Sequence, residues 1–349
     1  MGNLLAYSGI VTKVRAMQAQ LLTPAQYEEL SALSSVSEIV EYLSRLPSYR
    51  DCFREIDERL LHRGDIEKVL TQSLYHDYAR LYRFAGPTVR SFISLHMKHL
   101  EIDLINYCFR IVSNHTAPSF DLDYKKEFFD HYSRLSVEKL FSSTSIHELI
   151  ENLRGTEYYA PLHLIANQPD STLFDYDLAL ELYHFSTVWK ARKKVLKKKE
   201  LELFTRDYGA QIDLLNMQWI YRSKKYYHLT DVETYALLLP IHYKVSSDSI
   251  KEMVEAETLE DFLALIQRTP YGRQYDFTQN LSIEQMYSEC LYRLYTIDRR
   301  RNPYSIATIN TYLFLKEEEL KRLTTVMECV RYQISPAETM RYVGGKKKL

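Results

Sequence analysis

Two histidines are the residues of this sequence that come nearest to a metal site. His96 and His99 are three positions apart, so one turn of a helix could direct both imidazoles to the same side. However, His147-Glu148 lacks the second histidine of an HExxH motif, and no carboxylate-flanked second site stands at ligand spacing. The sequence therefore predicts ordinary histidines and no metal ligand. A helical metalloenzyme remains an alternative that metal analysis would test.

Motifs for phosphate binding and for paired acid catalysis are missing as well. The sequence contains neither GxxxxGK[ST] nor GxGxxG, so it offers no glycine-rich loop to hold a phosphate. The run Glu317-Glu318-Glu319 is more typical of charges on a helix surface than of catalytic acids. We therefore assign no catalytic residue and predict no cofactor.

Positive charge is concentrated in two clusters, which are candidate contact surfaces. Acidic loops of a partner protein, or anionic lipid headgroups, could bind such clusters. The alternatives are a solvated helix face for the first cluster and a helix end for the second. The residues are Lys190, Arg192, Lys193, Lys194, Lys197 and Lys198 in the first cluster, and Arg299, Arg300 and Arg301 in the second.

Length, composition and net charge favour a globular protein and disfavour one that binds nucleic acid. The chain has 349 residues, of which 46% are hydrophobic, as in a globular protein with a sizeable core. Its 45 Lys and Arg against 46 Asp and Glu leave a net charge of −1. Since no global positive field would draw the chain to nucleic acid, we expect no nucleic-acid partner.

Glycine, proline and cysteine usage indicates helices in a reducing compartment. Only 9 Gly and 10 Pro occur, although folds rich in strands and loops need many of both at their turns. The 4 Cys are far apart and form no CxxC pair, which disfavours a disulfide framework. No apolar run reaches the roughly 18 residues that a membrane span requires. We therefore expect an all-α protein that does not itself cross the membrane.

A repeat organises the chain. Three segments, 35–43, 145–153 and 258–266, superimpose with starts 110 and 113 residues apart. Each begins with a hydroxyl residue that is followed three positions later by an acid, as in a capped helix, and continues with one apolar stripe. A tyrosine follows each segment: Tyr49, Tyr158 and Tyr271.

A second motif repeats with the same period. IDLIN at 102–106 returns as IDLLN at 212–216, 110 residues later. We expect Asp103 and Asp213, with the asparagines three residues after them, to fix helix packing or chain turns rather than to bind a ligand. The predicted units are 1–100, completed by the C-terminal helix, then 101–210, and 211–349 with the closing C-terminal helix.

Long helices are predicted between the short capped ones. A break is expected at Gly86-Pro87, because proline cannot donate the interior hydrogen bond. The segment 177–204, if continuous, would be about 40 Å long. The predicted long helices span 66–85, 88–112, 177–204, 283–297 and 306–332.

Motifs at both ends and in the middle of the chain carry a resemblance to one known family. They are Ala6-Tyr7-Ser8, Val14-Arg15-Ala16-Met17, Leu21-Leu22-Thr23, IDLIN, IDLLN, Asn302-Pro303-Tyr304, Tyr312-Leu313, Lys316-Glu317 and Glu319. These motifs resemble the C subunit of archaeal and bacterial V-type (A-type) rotary ATPases, equivalent to the d subunit of eukaryotic vacuolar ATPases. The similarity covers essentially the whole chain, and the order and spacing of the motifs are specific.

The resemblance implies an all-α protein whose three homologous helical units form a pseudo-threefold funnel. It also implies a non-catalytic, peripheral subunit on the cytoplasmic face of the membrane. Its partners would be the central stalk subunits and the membrane rotor ring, with anionic lipid headgroups as a further candidate. The protein would transmit torque for proton or sodium transport. A general helical-repeat scaffold that binds other proteins without a membrane ring is the main alternative.

Overall fold

The computed structural model describes residues 2–53, 63–115, 123–275 and 282–343. Within these ranges every regular element is a helix and no strand occurs, so the predicted all-α class is confirmed. A π-helical turn, Ser223–Tyr227, follows the twelfth α-helix, and a 3₁₀ turn, Gly272–Gln274, follows the fifteenth. None of the helices in the described part of the chain is both long and apolar enough to span a bilayer.

The α-helices are numbered in chain order. They are α1 (Gly2–Gln18), α2 (Pro24–Ser31), α3 (Val36–Ser44), α4 (Arg50–Phe53), α5 (Arg63–Phe84), α6 (Pro87–Ser113), α7 (Asp123–Tyr132), α8 (Val137–Phe141), α9 (Ile146–Asn152), α10 (Tyr159–Ala166), α11 (Leu173–Val195), α12 (Lys198–Arg222), α13 (Asp231–Leu237), α14 (Ser247–Glu255), α15 (Leu259–Arg268), α16 (Ile283–Arg301), α17 (Ile306–Arg331) and α18 (Pro336–Val343).

The chain forms two compact units, the first made of Met1–Gly86 together with Asn302–Leu349. In this unit the long helix α17 packs against α1, α2, α3, α5 and α18. A helix from the end of the chain therefore completes the core built by the first helices. Residues of that core include Leu30, Ile39, Val40, Leu43, Tyr49, Leu323, Val326 and Met327.

The second unit, Pro87–Arg301, contains α6 to α16. Its main contacts are those of α6 with α11, α11 with α12, and α12 with α16. Two ion pairs fix the antiparallel register of α12 and α16. Arg206 pairs with Asp298 near one end of these helices, and Arg222 pairs with Glu284 near the other.

The three predicted capped helices are confirmed as α3, α9 and α15. Ser35, Ser145 and Thr258 accept the backbone N–H of the residue three positions later, at 3.2, 3.2 and 3.1 Å. These bonds satisfy donors that the first turn of a helix leaves unpaired. The apolar stripe of each helix is buried, and each helix packs against a long one: α3 on α17, α9 on α6 and α15 on α12.

Two predictions about the long helices have opposite outcomes. The break at Gly86-Pro87 is confirmed, since α5 ends at Phe84 and α6 begins at Pro87. A continuous helix over 177–204 is wrong, because α11 ends at Val195 and α12 begins at Lys198. Leu196 between them is fully buried. Its burial, and the return of α12 along α11, outweigh the helical preference of the segment.

The three-unit division of the chain stays a prediction. Its boundaries at 100/101 and 210/211 lie inside α6 and α12, which continue through them without interruption.

Candidate functional interface

The first basic cluster surrounds the turn between α11 and α12. Leu196 and Lys197 have extended backbones, and Lys198 has a φ of +48°. The lysines before the turn lie in the last turns of α11, and those after it lie at the start of α12. We call residues 190–199 the basic junction.

The members of the basic junction are not equivalent. Lys190, Lys193, Lys194, Lys197 and Lys198 are exposed, whereas Arg192 is only 7% exposed. The Arg192 guanidinium lies 3.4 Å from the centre of the Trp189 ring, and its Nε donates to Thr205 Oγ1 at 3.1 Å. Arg192 therefore joins α11 to α12, and the five lysines form the accessible surface.

Helix electrostatics divide the junction into two halves. Cations in the last turn of α11 face the negative end of that helix dipole, which stabilises them. Lys197, Lys198 and Lys199 stand at the positive end of α12, where a cation is disfavoured by a few tenths of a kcal/mol to about 1 kcal/mol. Lys199 offsets part of this cost through Glu202, at 3.1 Å. Lys197 is also compensated, because its Nζ donates to the backbone carbonyl of Lys193 at 3.1 Å, in the last turn of α11. Of these three lysines, Lys198 is the one that an anionic partner would stabilise.

The second basic cluster forms the last turn of α16. Arg300 and Arg301 are exposed and Arg299 is half-buried. Just before them, Asp298 is buried and accepts both Nη2 and Nε of Arg206, at 2.5 and 2.8 Å. This two-pronged contact is the strong form of an arginine–carboxylate pair.

The structure brings the two clusters to one end of the α12–α16 pair. Because these helices are antiparallel, the end of α16 and the start of α12 lie at the same end. Arg206 is eight residues into α12, about 12 Å from its start. We call this surface the basic end; its exposed residues are Lys190, Lys193, Lys194, Lys197, Lys198, Lys199, Arg300 and Arg301.

The three repeated tyrosines each donate a hydrogen bond to a carboxylate on a long helix. Tyr49 donates to Glu319 at 2.6 Å and Tyr271 donates to Asp213 at 2.8 Å. Tyr158 donates to Glu101. Burial and the adjacent carboxylate raise the pKa of all three phenols, which keeps them protonated as donors. The sequence revealed the tyrosines but not the acceptors Glu101 and Glu319.

Asp213 and Asn216 fix chain packing, as predicted. Asp213 accepts the backbone N–H groups of Tyr243, Lys244 and Val245 at 3.0, 2.7 and 3.2 Å. The side chain of Asn216 both donates to and accepts from the backbone of residue 239. Together they hold the loop before α14 against α12.

The same prediction is wrong for Asp103. Its side chain is 58% exposed, and its Oδ2 lies 3.7 Å from Nε2 of His99, one turn earlier on the same helix. The amide oxygen of Asn106 is buried without a hydrogen-bond partner. This copy of the motif therefore does not clamp a loop as the copy on α12 does.

The histidines considered for a metal site lie in different surroundings. His96 packs against the rings of Phe92 and Phe204, whose centres are 4.8 and 6.3 Å away, while His99 is exposed. Burial, with a smaller contribution from His99, lowers the pKa of His96 to about 4. Across the described ranges, no three His, Cys, Asp or Glu side chains are grouped as metal ligands would be.

Comparisons with known proteins cover nearly the whole chain. Residues 10–342 match the family described as ATP synthase (C/AC39) subunit. The C subunit of the A-type ATP synthase of Thermococcus kodakarensis is 25% identical over 346 residues, which cover 97% of this chain and 90% of that protein. Its counterpart in Pyrococcus abyssi is 23% identical, again with 97% and 90% covered. That of Methanocaldococcus jannaschii is 23% identical, with 96% and 86% covered.

Proposed function

Because the chain belongs to the ATP synthase (C/AC39) subunit family, as its sequence predicted, we propose that it is a non-catalytic subunit of a V-type (A-type) rotary ATPase. It couples the central stalk to the membrane rotor ring and transmits torque for proton or sodium transport. It acts as a peripheral protein on the cytoplasmic face of the membrane. The match from residue 10 to residue 342 is the observation that carries this proposal.

We also propose that three homologous units, 1–100 with the C-terminal helix, 101–210 and 211–349, form a pseudo-threefold funnel. The packing of each capped helix on a long helix supports this, as does the tyrosine–carboxylate bond that recurs in each set. A torque-transmitting part must be stiff, and closely packed helices resist deformation. A low-resolution image of the isolated protein, with or without three lobes, tests the arrangement.

The basic end is proposed to contact the rotor ring or the anionic headgroups beside it. Lys198 supports this, since an anion would stabilise a cation that stands at the positive end of α12. Each cation near an anionic membrane surface contributes about 1 kcal/mol to its attraction. Exposed charges also tolerate mismatch between a three-part protein and a ring of different copy number better than an apolar seam would.

Binding to purified partners tests the proposed function. The full-length protein should co-purify with the detergent-solubilised ring and, in a separate experiment, with the central stalk subunits. A protein that binds neither partner would contradict the proposal.

Charge reversal tests the basic end. The triple variant Lys193→Glu, Lys194→Glu and Lys197→Glu should bind the ring more weakly at low salt, because its exposed charges then repel acidic groups. The difference from the unmodified protein should shrink as salt is added, since screening removes interactions between exposed charges.

A matched control carries the same change of charge elsewhere. Lys139, Lys251 and Lys321 are exposed lysines on α8, α14 and α17. Their reversal should leave ring binding unchanged. Equal weakening by both triple variants would show that net charge matters rather than the basic end.

A further inference from the structure

His99 on α6 lies against a second histidine on another helix. The sequence pairs it with His96, but the structure places its ring beside that of His184 on α11, the helix that packs against α6. The two ring centres are 5.7 Å apart and the ring planes are inclined by 41°. Because metal–nitrogen bonds are about 2 Å long, two imidazoles that share one ion have their centres roughly 5 to 6 Å apart. The two rings therefore have the spacing of metal ligands.

His184 has a buried nitrogen that lacks a hydrogen-bond partner. The residue is 8% exposed, and its Nδ1 makes no hydrogen bond. Buried polar atoms in folded proteins are nearly always paired, so an unpaired one marks a place where an ion or a water molecule binds. Burial, followed by smaller contributions from His99, His96 and Lys98, lowers the pKa of His184. Its imidazole is therefore neutral at pH 7, which is the form that binds a metal ion.

Glu181 supplies a carboxylate next to the two imidazoles. It lies one turn before His184 on α11 and is half-buried. Burial raises its pKa, the charge of His99 lowers it, and Asp103 raises it, so this carboxyl is within electrostatic reach of α6. Arg222, which also acts on Glu181, is itself ion-paired. Helix bundles commonly bind metal ions through a Glu-x-x-His motif on one helix and ligands on a facing helix.

The charges around the two imidazoles favour a cation. Asp103 lies one turn after His99, and its Oδ2 is 3.7 Å from the Nε2 of that histidine. A carboxylate beside one ring nitrogen is the usual second contact of an imidazole that binds a metal with the other. Lys98, whose charge acts on His184, forms an ion pair with Glu157. Negative charge therefore remains in excess at this contact between α6 and α11.

Binding requires a small rearrangement of side chains. In the ranges that the structure describes, no three ligand side chains converge on one point. The side chain of His99 is 56% exposed, so it is free of the core constraints that would prevent a change of rotamer. Such reorganisation reduces affinity, and we expect a dissociation constant in the micromolar range. Imidazole and carboxylate donors together suit Zn²⁺ and neighbouring first-row metals.

We infer that His99, His184 and Glu181 bind a divalent transition-metal ion, with Zn²⁺ as the probe, between α6 and α11. Because its ligands come from both helices, the ion would link them within the second unit. The inference is independent of the proposed function, so its failure would leave that proposal unaffected.

Calorimetric titration of Zn²⁺ into the chelator-treated, full-length protein tests the inference. We expect one ion per chain, and His99→Asn should weaken its binding at least 10-fold. This substitution changes an exposed side chain and should leave the fold intact. His184→Gln, at the buried position, should weaken binding at least as much. Glu181→Gln should weaken it about 10-fold, since the amide is a poorer ligand than the carboxylate.

His147→Asn is the matched control. His147 is also exposed and also lies one turn before an acid, Glu151, whose pKa it lowers slightly after the larger effect of Arg154. It stands on α9, outside the contact between α6 and α11. Its substitution should therefore leave Zn²⁺ affinity unchanged.

Thermal unfolding provides a second measurement. Free Zn²⁺ at about 100 times the dissociation constant should raise the Tm of the unmodified protein by about 5 °C, because the ion binds the folded state. The same Zn²⁺ concentration should raise the Tm of His99→Asn much less. The inference is overturned if the unmodified protein binds no Zn²⁺, or if His99→Asn binds it as tightly. Equal weakening by His147→Asn would show unspecific binding to surface histidines, and unchanged affinity in Glu181→Gln would overturn the assignment of the third ligand.

Discussion

Asp213 on α12 and Asp103 on α6 occupy the same place in the repeated IDLxN motif, but only the first works as a structural clamp. Asp213 is buried and accepts three backbone N–H groups and one tyrosine hydroxyl. Asp103 is exposed and lies beside His99 on its own helix. Sequence identity within a repeat therefore does not imply the same role for the repeated residue.

On α6 a different carboxylate accepts the hydrogen bond from the repeated tyrosine. Glu101, two residues before Asp103, accepts the hydroxyl of Tyr158 and that of Ser133. Ser133 belongs to the segment before α8, as the residues that bind Asp213 belong to the segment before α14. The tyrosine–carboxylate hydrogen bond is thus retained, while the position of its acceptor moves along the helix.

The largest effect expected from this comparison is that of Asp213→Ala. The variant leaves three backbone N–H groups, of which that of Val245 is buried, and a buried hydroxyl without their acceptor, which should lower the free energy of unfolding by about 4 kcal/mol. The control Asp103→Ala removes an exposed side chain and should change it by less than about 0.5 kcal/mol. Denaturant unfolding of both variants measures the difference. Similar losses would mean that the two copies of the motif are equivalent after all.

Close packing on the same face of α12 gives the second prediction. A Cβ atom at Gly209 would lie 2.6 Å from Cγ of Tyr243, in the loop that Asp213 holds. Gly209→Ala should therefore force this ring to shift and cost about 2 kcal/mol of unfolding free energy. The equivalent position on α6, 110 residues earlier, is His99, which is exposed.

Gly9→Ala is the matched control for Gly209→Ala. Gly9 is also helical, but a Cβ there meets nothing within 4 Å. Alanine should stabilise this helix by about 0.5–1 kcal/mol, since glycine is the poorer helix former. Thermal unfolding of both variants should therefore shift in opposite directions, and a shift in the same direction would contradict the packing argument.

The sequence predicted the helix caps and the helix break, because these features depend on residues that are close together in the chain. Ser35, Ser145 and Thr258 cap helices because their hydroxyls reach the first turn wherever the chain goes next. The break at Gly86-Pro87 follows from the missing N–H of proline. Such features depend on neighbours within four residues and need no tertiary information.

The features that sequence reasoning missed depend on tertiary packing. Neither Leu196 nor Lys197 is a glycine, a proline or a good cap, so nothing local marks the end of α11. The break follows from burial of Leu196 where α12 turns back along α11. Similarly, the composition of the basic junction gave no sign that Arg192 is buried over Trp189.

Lowering the pH should decrease the folding stability of the protein through His96 on α6. The position 110 residues later is Arg206, which is paired with Asp298. His96 instead has its Nε2 buried without a hydrogen-bond partner, and its pKa is about 4. The unfolded imidazole takes up a proton near pH 6.5, so folded stability is full above that pH and decreases as the pH falls towards 4. At pH 5 the expected loss is about 1–2 kcal/mol.

Denaturant unfolding between pH 5 and 7 measures this loss. His96→Leu should flatten the pH dependence, although a second contribution remains from His184 on α11. The pKa of His184 is also lowered, by burial first and then by His99, His96 and Lys98. His147→Gln, which changes an exposed histidine, is the control and should leave the slope unchanged. An unaltered slope in His96→Leu would show that His96 is not buried as a neutral group.

The smallest effect expected is that of Glu101→Gln, which tests whether Glu101 has taken the role of Asp213. The amide oxygen can still accept one hydrogen bond, but it carries no charge, so the bonds from Tyr158 and Ser133 weaken. We expect a loss of about 1 kcal/mol, well below that for Asp213→Ala, because Glu101 is half-buried and leaves no backbone N–H unpaired. A double-mutant cycle with Tyr158→Phe measures the coupling. If the two losses simply add, Glu101 and Tyr158 contribute independently and the α6 copy has no counterpart of the Asp213–Tyr271 bond.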